Sequence, residues 1–284
     1  MQSEERKVRE IEHSDRRRTI VRAYEYRTDA SPDRLEDKYV GGKSEFELHF
    51  SNMKYYSVTQ SSVAYRDALL FDGIKGAVAL DYCCGNGEVA VEMATQGASR
   101  VFGVDISSVA IKNARELAKS AGVDDVCEFA VMDAERIGFT DETFDLIHEY
   151  GALHHLELRT AYEELARVLK PDGKVVCTEA LRHNPLIHWY RKRTPQLRTQ
   201  WEVEHILGVQ DLDRARKYFG EVCVGFFHLT VLAAVPFRKT PLFNVLCRTL
   251  NRIDSVILKN QRIGKYAWIM VFCMRRPGKY RSRS

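Results

Sequence analysis

The ten residues from Val78 to Gly87, VALDYCCGNG, constrain the fold of this chain more than any other stretch. Three apolar residues lead to a carboxylate, two thiols follow, and Gly85-Asn86-Gly87 precedes a run that is typical of a helix. Glycines are needed where a chain turns sharply against a ligand, and a following helix points unpaired N–H groups at that ligand. The stretch therefore predicts a strand, a ligand-binding turn and a helix.

The glycine spacing is compatible with two classes of ligand. Gly85 to Ala90 fits the G-x-G-x-x-A form of the dinucleotide fingerprint, and Asp105 follows about 20 residues later, where a ribose-binding acid is expected. Asp81 favours another ligand, because a carboxylate in the turn repels a pyrophosphate and attracts an ammonium group. S-adenosylmethionine carries such an ammonium. An NAD(P)-dependent oxidoreductase is the alternative, and it leaves Asp81 unexplained.

Beyond the turn, apolar strands and amphipathic helices alternate regularly. The predicted strands span residues 77–81, 100–105, 126–131, 144–149 and 174–179. Ser107 is a suitable N-cap for the helix that follows the second strand. This alternation predicts an α/β fold with a doubly wound parallel sheet that binds ligands at the carboxyl ends of its strands.

A carboxylate marks the end of each of the first three predicted strands. Asp81 and Asp105 close the first two strands, and Asp133 follows the third. Because parallel strands end at the same edge of a sheet, we expect the three acids in one cleft. Asp105 can accept both hydroxyls of a ribose, while Asp133 can accept from an adenine amino group and the Ala134 N–H can donate to the ring. The set predicts a site for an adenosine with a cationic tail.

The turn and the next two strand ends resemble the class I S-adenosylmethionine-dependent methyltransferases, whose turn often runs D-x-G-C-G-x-G. Cys83 replaces the first glycine of that pattern, and a Cys-Cys pair here is similar to the ubiquinone and menaquinone C-methyltransferase group. The resemblance covers residues 77–180. It implies a Rossmann-like, seven-stranded, mostly parallel sheet with helices on both faces, in which strand seven (267–274) runs antiparallel to strand six (221–227).

The resemblance also implies S-adenosyl-L-methionine as the cofactor and S-adenosyl-L-homocysteine as its product. The residues at matching cofactor positions are Asp81, Cys83, Gly85, Gly87, Asp105, Ile106, Asp133, Ala134 and Glu149.

The loop YGALHHL at residues 150–156 resembles the loop that lines the pocket beside the transferable methyl in small-molecule methyltransferases. If the acceptor atom is oxygen or nitrogen, His154 or His155 is the candidate base, with Glu149 and Glu179 as further candidates. The histidine pair fits a structural role in the loop equally well. We predict no metal centre, because the carboxylate cluster expected for metal-dependent catechol methylation is not evident here.

The acceptor is inferred from the chain outside the core. Residues 181–207 interleave basic and aromatic side chains and are predicted to form a substrate lid, and residues 229–258 are strongly apolar. With Cys83-Cys84 they favour a small lipophilic acceptor, such as a prenylated ring, a polyketide or a terpenoid. The predicted acceptor contacts are Tyr24, Tyr150, His183 and Trp189.

Resemblance to natural-product C-methyltransferases of the teleocidin type implies C-methylation of an isoprenoid or ring carbon in secondary metabolism, with or without cyclisation. O- or N-methylation is an alternative reaction. A catalytically inactive methyltransferase-fold interaction module is an alternative from another class, and the intact cofactor turn argues against it.

The whole chain predicts four parts: an N-terminal helical arm and cap (1–72), a cofactor-binding core (73–180), a substrate lid with the end of the sheet (181–274), and a basic tail (275–284). The arm at residues 4–27 is dense in Glu and Arg, so it is expected either to lie outside the main core or to close over the cofactor. Such an arm can be exchanged between copies of the chain, so we expect a homo-oligomer.

Charge and cysteine content bound the partners and the compartment. The net charge is only +4, from 43 basic and 39 acidic residues, which does not favour a nucleic-acid partner. Seven cysteines without a C-x-x-C motif predict reduced, buried thiols and a cytoplasmic protein. No apolar run is long enough to predict a membrane span.

Overall fold

A computed structural model describes residues 2–21, 53–194 and 198–278. Its centre is a seven-stranded sheet with the order β3-β2-β1-β4-β5-β7-β6. The strands are β1 (Val78–Tyr82), β2 (Arg100–Asp105), β3 (Cys127–Val131), β4 (Phe144–Tyr150), β5 (Leu169–Ala180), β6 (Phe219–Phe227) and β7 (Ile269–Pro277).

Helices flank this sheet, and in the chain they precede its first strand and lie between its later strands. They are α1 (Gln2–Val21), α2 (Met53–Tyr56), α3 (Gln60–Leu70), α4 (Glu88–Thr95), α5 (Ser108–Ala121), α6 (Leu158–Val168), α7 (Pro185–Arg193), α8 (Gln200–His205), α9 (Asp211–Ala215), α10 (Phe243–Ile257) and α11 (Gln261–Gly264). Single 3₁₀ segments span Leu153–His155 and Val231–Phe237. Helix α5 begins where the sequence predicts, because Ser107 accepts the Ala110 N–H, and it ends at a left-handed Gly122.

Strands β1 to β5 pair in parallel, and β7 pairs antiparallel with both β5 and β6. The chain leaves β1 toward β2 and β3 on one side and returns through β4 toward β5 on the other. The carboxyl ends of β1 and β4 therefore flank the switch point at which doubly wound sheets bind ligands. The predicted fold class is confirmed. The reversed β7 distinguishes this sheet from the dinucleotide-binding order 3-2-1-4-5-6.

Strand β5 begins at Leu169, before the predicted start at residue 174. Leu169 pairs with Phe144 and Lys174 pairs with Leu146, so the segment between them is an irregularity within the ladder. A Cβ on Gly173 would lie 2.9 Å from the Asp145 carbonyl oxygen. Glycine thus lets the two strands approach closely at this point.

Two apolar layers cover the sheet, and successive residues of β1 enter opposite layers. Ala79 packs in one layer and Leu80 in the other. The seven cysteines are free, and the prediction that they are buried is wrong for Cys223, which is exposed. None of the helices within the described residues is both long enough and apolar enough to cross a bilayer.

Candidate functional site

The predicted turn forms at the carboxyl end of β1 with left-handed backbone. Cys83, Gly85 and Gly87 have φ angles of 60°, 55° and 81°. A Cβ on Gly87 would lie 2.7 Å from the Ala114 Cβ, so glycine is required there. Cys83 occupies the position at which the related pattern has glycine, and a left-handed conformation costs a non-glycine residue about 1–2 kcal/mol. Its strained backbone explains why glycine is the common residue at this point.

Two of the predicted acids stand in one cavity beside this turn. Asp105 accepts the Gly85 N–H at 3.0 Å and the Ser107 N–H at 2.9 Å, one with each oxygen. Asp133 accepts the Glu135 N–H at 2.9 Å. Carboxylate oxygens have two lone pairs each, so both acids keep capacity for a ligand donor. This cavity, called the cofactor cavity after its predicted ligand, is lined by residues that include Cys83, Asp105, Ile106, Asp133 and Ala134.

Asp81 is held in the wall of a second cavity. It is 3% exposed, and its two oxygens contact the Ala90 N–H at 3.1 Å and the His148 Nδ1 at 2.8 Å. His148 is its direct neighbour across the β1–β4 ladder. The sequence analysis missed His148, although a histidine inside an apolar strand is a signal of a buried polar contact. The pair fixes the carboxylate beside the glycine turn.

This second cavity, the acceptor chamber, has a volume of about 370 Å³ and adjoins the cofactor cavity. The two cavities share Cys83, Tyr150 and His155 as lining residues. Aromatic rings form part of the chamber wall, with edge-to-face contacts between Tyr55 and Tyr190 at 5.2 Å and between Tyr56 and Trp268 at 5.3 Å. Such a wall suits an apolar or planar ligand.

A histidine–glutamate pair faces this chamber. His154 Nδ1 lies 2.7 Å from one Glu179 oxygen, and the other Glu179 oxygen accepts the Leu153 N–H at 2.7 Å. Burial, with the charge of the neighbouring His155, lowers the pKa of His154 to about 3, so the ring is neutral at pH 7. A neutral ring that donates from Nδ1 keeps a lone pair on Nε2. His154 alone is a weak base at this pKa, and burial raises the pKa of its partner Glu179 to about 7, so the two groups together are the candidate proton acceptor of the chamber.

Glu149 lies behind this pair and lines neither cavity. It is fully buried and accepts the Ala152 N–H at 2.6 Å. Burial and the adjacent Glu179 raise the pKa of Glu149 well above its usual range. Side chains alternate between the two faces of a strand, so His148 and Tyr150 of β4 face the cleft and Glu149 faces the opposite side. This corrects the expectation that Glu149 contacts the cofactor or acts as a base.

Helix α1 covers the cofactor cavity. Lys7 pairs with Asp133 at 2.5 Å, and Glu10 lies 2.8 Å from His155. The Arg18 guanidinium lies beside the turn, with Nη2 2.6 Å from the place where a Cβ on Gly85 would be. The described part of the arm, up to residue 21, thus lines this cavity, and its closure over a bound cofactor stays a prediction.

Two predicted acceptor contacts face away from the chamber. His183 is exposed and Trp189 is 51% exposed, and neither lines the chamber. Helix α7 presents Ile187, Tyr190 and Arg191 to the chamber instead. These positions follow the i, i+3, i+4 spacing of one helix face. The prediction is corrected because the mixed basic and aromatic segment did not reveal which face of α7 points inward.

The other two predicted acceptor contacts have different outcomes. Tyr150 lines both cavities. Tyr24 lies outside the described residues. Tyr55, Tyr56 and Trp268 were not predicted as acceptor contacts, because an aromatic residue in a sequence signals a core position as readily as a pocket.

His154, His155 and Glu202 offer ligand atoms that lie within 4.8 Å of one another. Each already has an oppositely charged or polar neighbour, respectively Glu179, Glu10 and Arg198. These contacts account for the cluster, and the expected absence of a metal stays a prediction.

Comparison with known proteins gives a consistent assignment for the core. Residues 80–177 match the family model described as a methyltransferase domain. The chain is 37% identical over 103 residues to the 27-O-demethylrifamycin SV methyltransferase of Amycolatopsis mediterranei (strain S699), covering 36% of this chain and 38% of that protein. It is 32% identical over 136 residues to the demethylmenaquinone methyltransferase of Anoxybacillus flavithermus (strain DSM 21510 / WK1), covering 46% and 57%.

The chain thus spans less than two thirds of the length of either relative. Its fold is similar to that of a geranyl diphosphate methyltransferase solved in complex with GPP and sinefungin, with a TM-score of 0.52 and 18% identity. That similarity covers 75% of this chain and 78% of the other. At this identity the similarity supports the fold.

Proposed function

We propose that this chain is an S-adenosylmethionine-dependent methyltransferase that transfers a methyl group to a small lipophilic acceptor, because residues 80–177 match the family model of a methyltransferase domain. One observation carries the proposal: a cavity lined by Asp105 and Asp133 adjoins an aromatic chamber that contains a base. Cofactor and acceptor in neighbouring cavities would meet at the shared wall, where Cys83 and Tyr150 lie.

The cofactor cavity has donors and acceptors suited to S-adenosylmethionine. Asp105 and Asp133 offer acceptors for ribose hydroxyls and an adenine amino group, and Asp81, in the wall of the adjoining chamber, offers a carboxylate for an ammonium group. When bound, this cofactor supplies a methyl group that is already electrophilic. The chain then has to orient the acceptor and remove a proton, and no residue has to act as a covalent nucleophile. Burial and the nearby Asp105 raise the pKa of Cys83, which keeps it a thiol.

The chamber combines aromatic rings with buried positive charge. Arg191 donates to the Leu181 carbonyl at 3.0 Å, and Arg198 lies over the Tyr190 ring at 5.8 Å. Burial and the charge of Arg198 lower the pKa of Arg191 to about 10, so the Arg191 side chain is cationic at pH 7. This favours an acceptor with an apolar body and an oxygen-rich or anionic head.

C-methylation of an isoprenoid or ring carbon is the first candidate reaction. A relative that methylates demethylmenaquinone and a similar fold that binds GPP support it. On a hydroxylated ring, removal of a proton by His154 raises the electron density of the ring carbons. On an alkene, the same base removes a proton from the carbocation that methyl addition leaves, with or without cyclisation.

O-methylation is the second candidate, and the His154–Glu179 pair favours it. A hydroxyl becomes a good nucleophile as a base takes its proton, and such general-base catalysis contributes about 10²–10⁴-fold to the rate. The relative that acts on 27-O-demethylrifamycin SV is consistent with this reaction. The mass of the product shows that one methyl group was added, and the ¹³C chemical shift of the labelled methyl distinguishes C-, O- and N-methylation.

Calorimetric titration with S-adenosylhomocysteine and, separately, with NADH tests the proposal. We expect binding of S-adenosylhomocysteine alone, weakened about 100-fold in Asp105→Ala because charged hydrogen bonds are lost. Asp124→Ala, an exposed loop aspartate, is the matched control and should bind as the parent does. NADH binding would contradict the proposal. Cofactor binding without methyl transfer to any lipophilic acceptor tested would instead favour an inactive interaction module.

A further inference from the structure

Four exposed apolar side chains lie along one side of α10, in two pairs with the exposed Thr249 between them. Leu242, just before the helix, and Val245, Ile253 and Val256 within it are 59%, 53%, 43% and 68% exposed. Their spacing of three, eight and three residues places them along one side of the helix. Isolated exposed apolar side chains are ordinary on protein surfaces, whereas a stripe of them marks a contact surface.

This helix is firmly attached through its other face. Phe243, Leu246 and Leu250 pack against the core layer. The buried Asp254 accepts the backbone N–H groups of Leu229, Thr230 and Val231 at 3.1, 2.8 and 3.2 Å. The exposed stripe is therefore not the inward face of a loosely packed helix, and its apolar character belongs to the folded surface.

The exposed charged residues of the segment that contains the stripe are all basic. The chain as a whole is nearly balanced at +4, but between residues 229 and 268 its one acid is the buried Asp254. The basic residues of the same segment are Arg238, Lys239, Arg248, Arg252, Lys259, Arg262 and Lys265. Arg248, Arg252 and Lys259 are exposed on or next to α10. Aliphatic side chains beside an exclusively basic set match the acyl boundary and headgroups of an anionic bilayer.

We propose that the α10 face, defined by Leu242, Val245, Ile253 and Val256 with Arg248 and Arg252, docks on the surface of a bilayer that contains anionic lipids. The stripe lies on a convex helix and consists of aliphatic side chains, which suits a lipid surface. A protein partner would more typically be met by Trp, Tyr or Arg anchors at the centre of the contact.

The docked helix shares a core layer with part of the acceptor chamber. Its inner face packs on the core layer that also contains Tyr55 and Trp268, two residues of the chamber wall. A bilayer is also where a lipophilic acceptor concentrates. Delivery of the acceptor from the bilayer rests on the proposed function, whereas docking itself does not.

Co-sedimentation of the full chain with vesicles tests the docking. Vesicles of phosphatidylcholine with one-fifth phosphatidylglycerol should bind the chain at 0.1 M salt, and pure phosphatidylcholine vesicles should bind it at least tenfold more weakly. Reversing two charges in Arg248→Glu/Arg252→Glu should weaken binding about 30-fold or more. Val245→Ser/Val256→Ser should weaken it about tenfold through lost apolar burial.

Two controls match these variants. Lys112→Glu/Lys119→Glu makes the same charge change on α5, and Val131→Ser removes a valine that is 53% exposed, as Val245 is, on the β3 edge strand at the opposite end of the sheet. Both should bind vesicles as the parent does. Calorimetry with S-adenosylhomocysteine reports the folding of every variant and keeps the docking test independent of methyl transfer.

Other results would overturn the proposal. If the charge-reversed control loses as much binding as Arg248→Glu/Arg252→Glu, the attraction is general and the α10 face is not the site. The parent chain could also fail to bind vesicles and instead self-associate in sedimentation velocity. If Val245→Ser/Val256→Ser abolishes that self-association, the face joins two copies of the chain.

Discussion

The cofactor cavity and the acceptor chamber are assembled in different ways. The core side of the cofactor cavity is built from strand ends that follow one another in the chain, and backbone N–H groups hold its acids, as Gly85 and Ser107 hold Asp105. The acceptor chamber joins parts as distant as Tyr55, His154 and Trp268, and side-chain packing holds them. Sheet topology therefore specifies the first cavity, and the second is free to vary with the segments that pack on the sheet.

The largest expected effect is a loss of methyl-transfer rate, without a loss of cofactor affinity, when the base of the acceptor chamber is removed. His154→Asn or Glu179→Gln should lower the methyl-transfer rate about 10²–10⁴-fold, because the chamber loses its base or the group that orients it. The affinity for S-adenosylhomocysteine should stay within twofold, since neither residue lines the cofactor cavity. Single-turnover kinetics and calorimetry measure the two quantities.

His188→Asn is the control for this experiment, because His188 is an exposed histidine on α7. It should leave both quantities unchanged. Equal losses of rate and cofactor affinity in His154→Asn would contradict the separation. An unchanged methyl-transfer rate in both His154→Asn and Glu179→Gln would show that the acceptor needs no base.

The same contrast explains what the sequence could predict. Asp81, Asp105 and Asp133 were placed correctly at three strand ends, because strand periodicity and the parallel topology fix where each strand ends. It was harder to infer which side of a single strand or helix faces the cleft. Glu149 and Trp189 were assigned to the wrong faces of β4 and α7, since both elements are buried or mixed on two sides and their patterns do not reveal which side faces the cleft.

Long-range contacts were beyond the sequence pattern altogether. The Lys7–Asp133 pair joins residues 126 positions apart, and Trp268 reaches the chamber from the loop before β7. Such contacts depend on tertiary packing, which no local periodicity encodes.

Adjacent positions on α7 sharpen the view of the chamber. Tyr190 is 7% exposed in the chamber wall, whereas Trp189 is 51% exposed. Tyr190→Leu should raise the KM for the acceptor roughly tenfold through lost contact with an aromatic wall. Trp189→Leu removes an aromatic ring from the next position and should leave the KM unchanged. A larger effect from Trp189→Leu would show that the acceptor binds on the outer side of α7.

A smaller effect is expected where α1 covers the cofactor cavity. Lys7 pairs with Asp133, the acid predicted to accept from adenine, so a ligand there competes with the lysine. Lys7→Met should strengthen S-adenosylhomocysteine binding about two- to fivefold, because a partly exposed ion pair contributes less than about 1 kcal/mol. Arg9→Met, an exposed change on the same helix, should have no effect. Weaker binding in Lys7→Met would mean that the lysine contacts the ligand.

The smallest expected effect is a pH dependence of the α1 attachment. Burial opposes the charge on His155, but its contact with Glu10 prevails and raises its pKa above 6.5. Burial likewise opposes the charge on Glu10, and the contact with His155 lowers its pKa below 4.5. The histidine contribution is complete below pH 6.5 and is lost as pH rises through the raised value. The glutamate contribution is complete above pH 4.5 and is lost as pH falls through the lowered value.

The attachment of α1 should therefore be strongest between about pH 4.5 and 6.5 and weaken toward alkaline pH. Hydrogen-exchange protection of α1 amides, corrected for intrinsic exchange rates, should fall several-fold above that window, while α5 should keep its protection. His155→Asn should remove this dependence and leave the protection of α1 low throughout. Protection that is independent of pH in the parent chain would show that the contact between Glu10 and His155 contributes nothing to holding the helix over the cofactor cavity.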